Sequence, residues 1–201
     1  MFFKETLEKK GEQNGFGLPE LVIVLLIVAI ITVLVLPQLI TSRRLFHFSG
    51  VQRQIVSTLR EARQEALSQR TPISFRFNNI NKTVSLFGGN FGNIGDTRNR
   101  VFELAGDDVA LDDINYGRPA DVSVTALGDG TNLTTPTNNF VDITFQSNGM
   151  VIDENNNPQN KALFFYNSQT PAETAFAVSV LGAGGRVKIW RYNQGANLYV
   201  E

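Results

Sequence analysis

The sequence has no cysteine, a single histidine and almost no net charge. Each shortage excludes something. Without cysteine there is neither a disulfide framework nor a thiolate metal site, and cysteine usage says nothing of the redox compartment. One histidine, His47, removes most nucleophile–base pairs. It falls between Phe46 and Phe48, where a lone His reads as a boundary residue rather than a catalyst. A formal charge of -1 argues against a general nucleic-acid binder, which carries a basic excess, and leaves only a local basic patch. Charged residues are 18% of the chain, below the usual quarter. Neither a G-x-S-x-G nor a Walker A sequence is present. The glycines at 88, 89, 92 and 95 lack the strand-then-helix setting of a phosphate loop and read as a hairpin loop. No enzyme site and no cofactor follow from these residues.

What the 201 residues do hold is apolar side chains, at 42%, with much Asn, Thr, Gly and Phe. That suffices for one packed domain and something extra. The mix suits a β-rich extracytoplasmic domain. The extra is one long run. From Leu21 to Leu36 only Thr32 interrupts the apolar residues. The run spans roughly 24 Å as a helix. Phe16 to Leu18 and Leu39 to Ile40 extend it toward the ~30 Å of a bilayer core.

Three readings of this run compete. A secretory signal would use Lys9 and Lys10 as its basic region. The run, however, is longer than the usual ~7–15 residues, and no small-residue cleavage site follows. A plain anchor fits the length, while Lys4, Lys9 and Lys10 before it and Arg43 and Arg44 after it leave orientation open. The third reading must account for Glu20. A carboxylate in a bilayer costs at least ~2.5–3.5 kcal/mol on insertion scales, so it wants a partner. No Lys or Arg lies in the run. A cut before Phe16 would create an α-amino group at the same depth, four residues from Glu20, on its own chain or a neighbour's. Glu20 also suits the positive end of the helix, and Pro19 suits an early helical position.

Gly15-Phe16-Gly17-Leu18-Pro19-Glu20 followed by the apolar run resembles the processing motif of type IV pilins and pseudopilins. Gly15, Phe16, Leu18 and Glu20 keep the pattern; Gly17 and Pro19 stand where Thr and Ile are common. The resemblance implies a cytoplasmic leader, residues 1–15, removed by a prepilin peptidase between Gly15 and Phe16. It also implies methylation of the Phe16 amine, and Glu20 set against a neighbouring subunit's N-terminus in a filament. Residues 16–40 would be the transmembrane and assembly helix in the bacterial inner membrane. Residues 41–201 would form a periplasmic domain.

Pro37 lacks the N–H a helix interior uses, so a kink or local melting is expected near Val33 to Pro37; in pilin filaments a similar proline marks a segment that unwinds. Beyond Thr41, Phe48, Val51, Ile55, Leu59, Ala62 and Ala66 recur at helical spacing, predicting an amphipathic continuation. One helix is therefore expected from about Leu18 to about Gln69, weak at Pro37 and Gly50. After Pro72 the period becomes two: Ile73, Phe75 and Phe77 face one way, Ser74 and Arg76 the other. Ala62, Arg63, Glu65 and Ala66 before this strand resemble the helix end of the GspH and FimT class of minor pseudopilins and pilins. Further strands are expected at 83–87, 101–104, 109–115, 122–126, 141–145, 162–167, 175–181 and 186–192. The fold class is α+β: a long N-terminal helix packed on antiparallel sheets. The resemblance implies a structural subunit, with other pilins or pseudopilins as partners. It does not separate a type IV pilus from a type II secretion pseudopilus.

Two further patterns bear on ligands. Asp153, Asn155 and Asn157 alternate as calcium ligands can, but Pro158 and the lack of a closing Glu break an EF-hand loop. Asp107, Asp108, Asp112 and Asp113 form a second acidic group; solvated turns account for both. In "GGRVKIWRYNQG", Val187 and Ile189 share one strand face, and Arg186, Lys188, Trp190 and Tyr192 share the other. Cations beside aromatics could grip phosphates and stack bases, with Arg191 as a third cation. A charged edge strand explains the pattern equally. Gly185, Arg186 and Lys188 resemble the Gly-Arg-x-Arg motif of FimT-type pilins that bind DNA in natural transformation, with Lys in the last place. That resemblance implies DNA as an alternative partner.

Overall fold

The computed structural model describes residues 17–89, 100–106, 110–153 and 155–201. Helix α1 runs unbroken over Leu18–Gln69, 52 residues. The chain divides into two compact units, up to Ser42 and Arg43–Glu201. In the first, the described residues from Leu18 are helical and the apolar run is exposed on every side. Leu18–Leu36 has a mean hydropathy of 3.0, long and apolar enough to cross a membrane. Thr32 meets its own hydrogen-bonding need by donating to the Val28 carbonyl at 2.7 Å. Glu20 is thus the one charged side chain of the span.

In the second unit the same helix buries one side. Phe48, Val51, Ile55, Leu59, Ala62 and Ala66 are each at most 4% exposed, as their spacing predicts. Val56 and the polar Gln52 and Thr58 join them. The helix stops where Arg70 turns left-handed at φ 53°, and Pro72 leads into the first strand.

Among the described residues nine strands form two antiparallel sheets. The first has the order β3-β2-β1-β5, with β1 Ile73–Asn78, β2 Thr83–Gly88, β3 Arg100–Glu103 and β5 Phe140–Phe145. The second runs β4-β6-β7-β8-β9, with β4 Ile114–Tyr116, β6 Lys161–Asn167, β7 Phe176–Val180, β8 Val187–Asn193 and β9 Leu198–Val200. A single-turn helix, α2, Pro171–Thr174, lies between β6 and β7. The main core joins α1 to both sheets through Phe75, Phe77, Ile143, Phe145, Phe165 and Val178 among others. Phe48 meets Phe176 edge-on at 5.6 Å between ring centroids.

A second apolar cluster lies on the opposite face of the second sheet. Ala162, Phe164, Ala177, Trp190 and Tyr199 meet Val122 and Leu127 of the 117–134 loop there. The sequence predicts a strand at 122–126. This stretch instead covers the sheet, and Ala126 makes only an isolated bridge to Asn132. Residues 111–113 form a short 3-10 turn before β4, where a strand is expected.

Candidate functional site

The residues singled out in the sequence fall at two places, the start of α1 and strand β8. Gly15 and Phe16 lie outside the described residues. Gly17 caps the helix: its carbonyl accepts from the N–H groups of Glu20 and Leu21 at 3.1 and 3.2 Å. Pro19, at the second helical position, forfeits no helical bond there. Glu20 stands at the third position, and its Oε2 accepts the Gly17 N–H at 3.0 Å. This is the return bond of a capping box, joined to the favourable field of the helix end. Its signal in the sequence is a Glu three residues after a helix-starting glycine. The Glu20 Oε1 has no hydrogen-bond partner among the described residues. The backbone is helical through Val33–Pro37 and through Gly50. The flanking turns keep their own bonds when a proline removes one.

Strand β8 departs from the exposed strip that alternation suggests. Arg186, just before it, is 70% exposed along its side chain. Lys188 is only 17% exposed, and its Nζ pairs with Glu201 Oε2 at 2.6 Å. The same Nζ lies 5.1 Å from the Trp190 ring centroid. Trp190 itself is 6% exposed. Its Nε1 donates to Ser179 Oγ at 2.9 Å. Ser179 Oγ donates in turn to Asp129 Oδ2 at 2.7 Å, and the Thr131 N–H reaches Asp129 Oδ1 at 3.0 Å. The chain pins the 127–131 turn over the indole. Burial pushes the Asp129 carboxyl up, but the Ser179 and Thr131 bonds and the nearby Lys188 charge outweigh it and hold the group below its usual value. Trp190 is therefore a pillar of the second core, with no ring face open for stacking a base. Arg191 is exposed, on the face opposite Arg186.

Gly185 has a packing reason. It adopts φ +57°, and a Cβ there would lie 1.9 Å from the Gly149 carbonyl oxygen and 3.0 Å from Arg63 Nε. The helix-end pattern, the "SNG" turn and the Gly-Arg step thus meet at one close approach. Arg63 Nε is buried with no hydrogen-bond partner among the described residues.

Asp153 uses its carboxylate locally: Oδ1 accepts from the N–H groups of Asn155 and Asn157 at 2.9 and 2.8 Å. Asp113 accepts from Ser168 Oγ at 3.0 Å. Asp107 and Asp108 lie outside the described residues. Among the described residues no group of three or more His, Asp or Glu could hold a metal. An open cleft of about 620 Å³ beside β5 contains Arg76 and Asp142, joined by two bonds of 2.6 and 2.7 Å. His47 is half-buried at the edge of the core.

A helix apolar on every side in one half and packed on antiparallel sheets in the other defines a pilin-type subunit. Residues 52–184 match the family described as Type II transport protein GspH, and the chain belongs to that family. That family is of the minor pilin and pseudopilin kind. Two crystal structures of the type IV minor pilin FimU of Pseudomonas aeruginosa are similar to it at 16% identity. Their TM-scores are 0.45 and 0.43, with 71% and 70% of this chain and 87% and 90% of the FimU chains covered. No curated protein matches the chain.

Proposed function

We propose that the chain is a minor pilin or pseudopilin, anchored by Leu18–Leu36 in the bacterial inner membrane with its domain in the periplasm. A prepilin peptidase cuts between Gly15 and Phe16, the Phe16 amine is methylated, and the subunit joins a type IV pilus or a type II secretion pseudopilus through α1. One observation carries this reading: the single acid of an otherwise apolar span stands at the helix start with one carboxylate oxygen unengaged. A neighbour's N-terminal amine supplies the missing cation. Pro37 is the point at which the helix unwinds on packing. Mass spectrometry of the chain from cells with active peptidase tests the reading. An N-terminus at methylated Phe16 is expected; a chain still beginning at Met1 refutes it. Glu20→Ala should leave cleavage intact and remove the subunit from filaments, whereas undiminished incorporation would sink the role given to Glu20.

DNA retention on β8 is the weaker alternative. Arg191 remains open to phosphate, but Arg186 and Lys188 both pair with Glu201, at 3.8 and 2.6 Å, and Trp190 is buried. In a gel shift, Arg186→Ala with Lys188→Ala should leave any DNA binding unchanged. Loss of a measurable shift would restore that reading.

A further inference from the structure

The large apolar side chains that the domain leaves exposed gather at one end. Leu45, Phe46, Ile80, Leu111, Leu198 and Val200 all lie where α1 enters the domain. From Leu45 onward only Leu67 and Val101 among the described residues are exposed elsewhere, in the last turn of α1 and on the outer strand β3. Phe46 and Ile80 are 74% and 65% exposed.

Strand pairing brings the set together. Phe48, two residues past Phe46, meets Phe176, the first residue of β7. Phe176 stands opposite Arg191 of β8, and Arg191 opposite Val200 of β9. Opposed residues share a face, so Arg191 and Val200 carry the row on past the helix, where both are exposed. Leu198 stands opposite Asn193, the last residue of β8, at the same end. In the other direction Phe176 is opposite Phe165, and Phe165 opposite Tyr116. The 111–113 turn with Leu111 leads into β4 at this end. Phe77 of β1 meets Phe165 and Tyr116 at 5.0 and 5.3 Å between ring centroids. β1 closes one residue later, so the turn with Ile80 reaches this end too. Burial lowers the Lys82 ammonium of that turn and the Asp112 charge opposes the shift, which sets the two turns side by side.

Scattered exposed apolar side chains are ordinary; a set gathered at one end marks a contact surface. The anchor supplies the occupant. On an unbroken helix, Phe46 follows Leu36, the close of the apolar span, by roughly 15 Å of rise. The headgroup layer alone reaches about 5–8 Å beyond the hydrocarbon core. We infer that this end of the domain rests on the bilayer that holds the span, with its apolar rim in the headgroup layer. The described charges at this end are of both signs, Lys82 and Arg191 against Asp112, Asp113 and Glu173. The contact therefore rests on apolar burial and requires no anionic lipid. The inference depends on the anchor in the proposed function, and on neither processing nor filament entry.

The absence of cysteine makes the test direct. Ile80→Cys, Leu198→Cys and, as a control, Leu67→Cys each place one thiol on the full-length chain. Each is labelled with a polarity-sensitive nitrobenzoxadiazole fluorophore and reconstituted in phosphatidylcholine vesicles, with or without nitroxide-bearing lipid. Quenching at 80 and at 198 should exceed that at 67 by at least about threefold, with blue-shifted emission. Replacing part of the lipid by phosphatidylglycerol should change little. Adding Ile80→Asn and Leu111→Asn to the chain labelled at 198 should drop its quenching toward that of position 67. Circular dichroism melts check that these exposed substitutions leave the fold intact. Equal quenching at all three positions, or quenching only with phosphatidylglycerol, would overturn the inference. So would a blue shift without quenching that fades as the chain is diluted in lipid, since a protein neighbour would then cover the rim. Carbonate extraction separates the two readings. A chain stripped from the vesicles overturns the anchor and this inference with it; a retained chain without quenching at 80 and 198 overturns this inference alone.

Discussion

At the scale of single residues, Gly185 and Tyr199 show two opposite relations between a side chain and its surroundings. At Gly185 there is no room: a methyl group would sit inside the Gly149 carbonyl, on a backbone that L residues rarely adopt. Gly185→Ala should cost at least about 3 kcal/mol in urea unfolding, from strain and displaced packing together. At Tyr199 the packing is good and the chemistry is not. The ring meets Phe164 edge-on at 5.2 Å, while the hydroxyl is buried with no hydrogen-bond partner among the described residues. Burial pushes its pKa up to about 12, with the Arg118 charge pulling it down and Tyr192 adding to the rise. Removing an unsatisfied buried hydroxyl relieves a desolvation cost, so Tyr199→Phe should unfold at equal or higher urea, by up to about 1 kcal/mol. A clear loss of stability would mean that the hydroxyl has a partner after all.

At the scale of elements, the 127–131 turn depends on a charged group. The Asp129 carboxyl lies below its ordinary value in the folded chain, despite the opposing effect of burial. Its contribution is therefore full above the unfolded pKa, near 4, and is lost as pH falls through the lower folded value. The difference in melting temperature between the parent and Asp129→Asn should be constant at neutral pH and shrink as pH falls below about 4. A difference that grew on acidification would contradict the assignment. Strand β3 is held more loosely. Arg100 joins it to α1 through Glu61 and Glu65, but the guanidinium side chain is 44% exposed. Arg100→Ala should cost only about 0.5–1 kcal/mol, while amide exchange in β3 quickens locally.

The helix and most strands were legible because one face of each meets a core. The six helical positions from Phe48 to Ala66, and Ile73, Phe75 and Phe77 in β1, are buried as their periods require. Alternation failed in β8 for a physical reason: it tells which residues share a face, and says nothing of whether both faces are covered. The continuous apolar runs of β6, "ALFF", and of β7, every residue of which is buried, carried that signal. Val122–Ala126 alternates like a strand because it covers the sheet with every second side chain. β9 is three residues long, too short for any period to show. The capping by Glu20 was legible in its position at the helix start and not in its partner, since a backbone N–H leaves no mark in a sequence.

At the scale of the whole molecule, the unit from Arg43 to Glu201 holds both apolar clusters. A chain starting at Arg43 should fold without detergent and melt in one cooperative step, whereas the full chain should require detergent or lipid; a non-cooperative melt of the shortened chain would show that its core needs the preceding helix. Helix α1 nevertheless belongs to both units, and this has a mechanical consequence. The residues from Phe48 to Ala66 are at once the continuation of the anchor and the centre of the core. A pull on the N-terminal end of α1 passes Pro37, where the helix lacks one N–H, before it reaches the domain. Within the domain it is resisted in shear by the side chains from Phe48 to Ala66 that the sheets close upon. The domain cannot be pulled off its anchor without being opened from within.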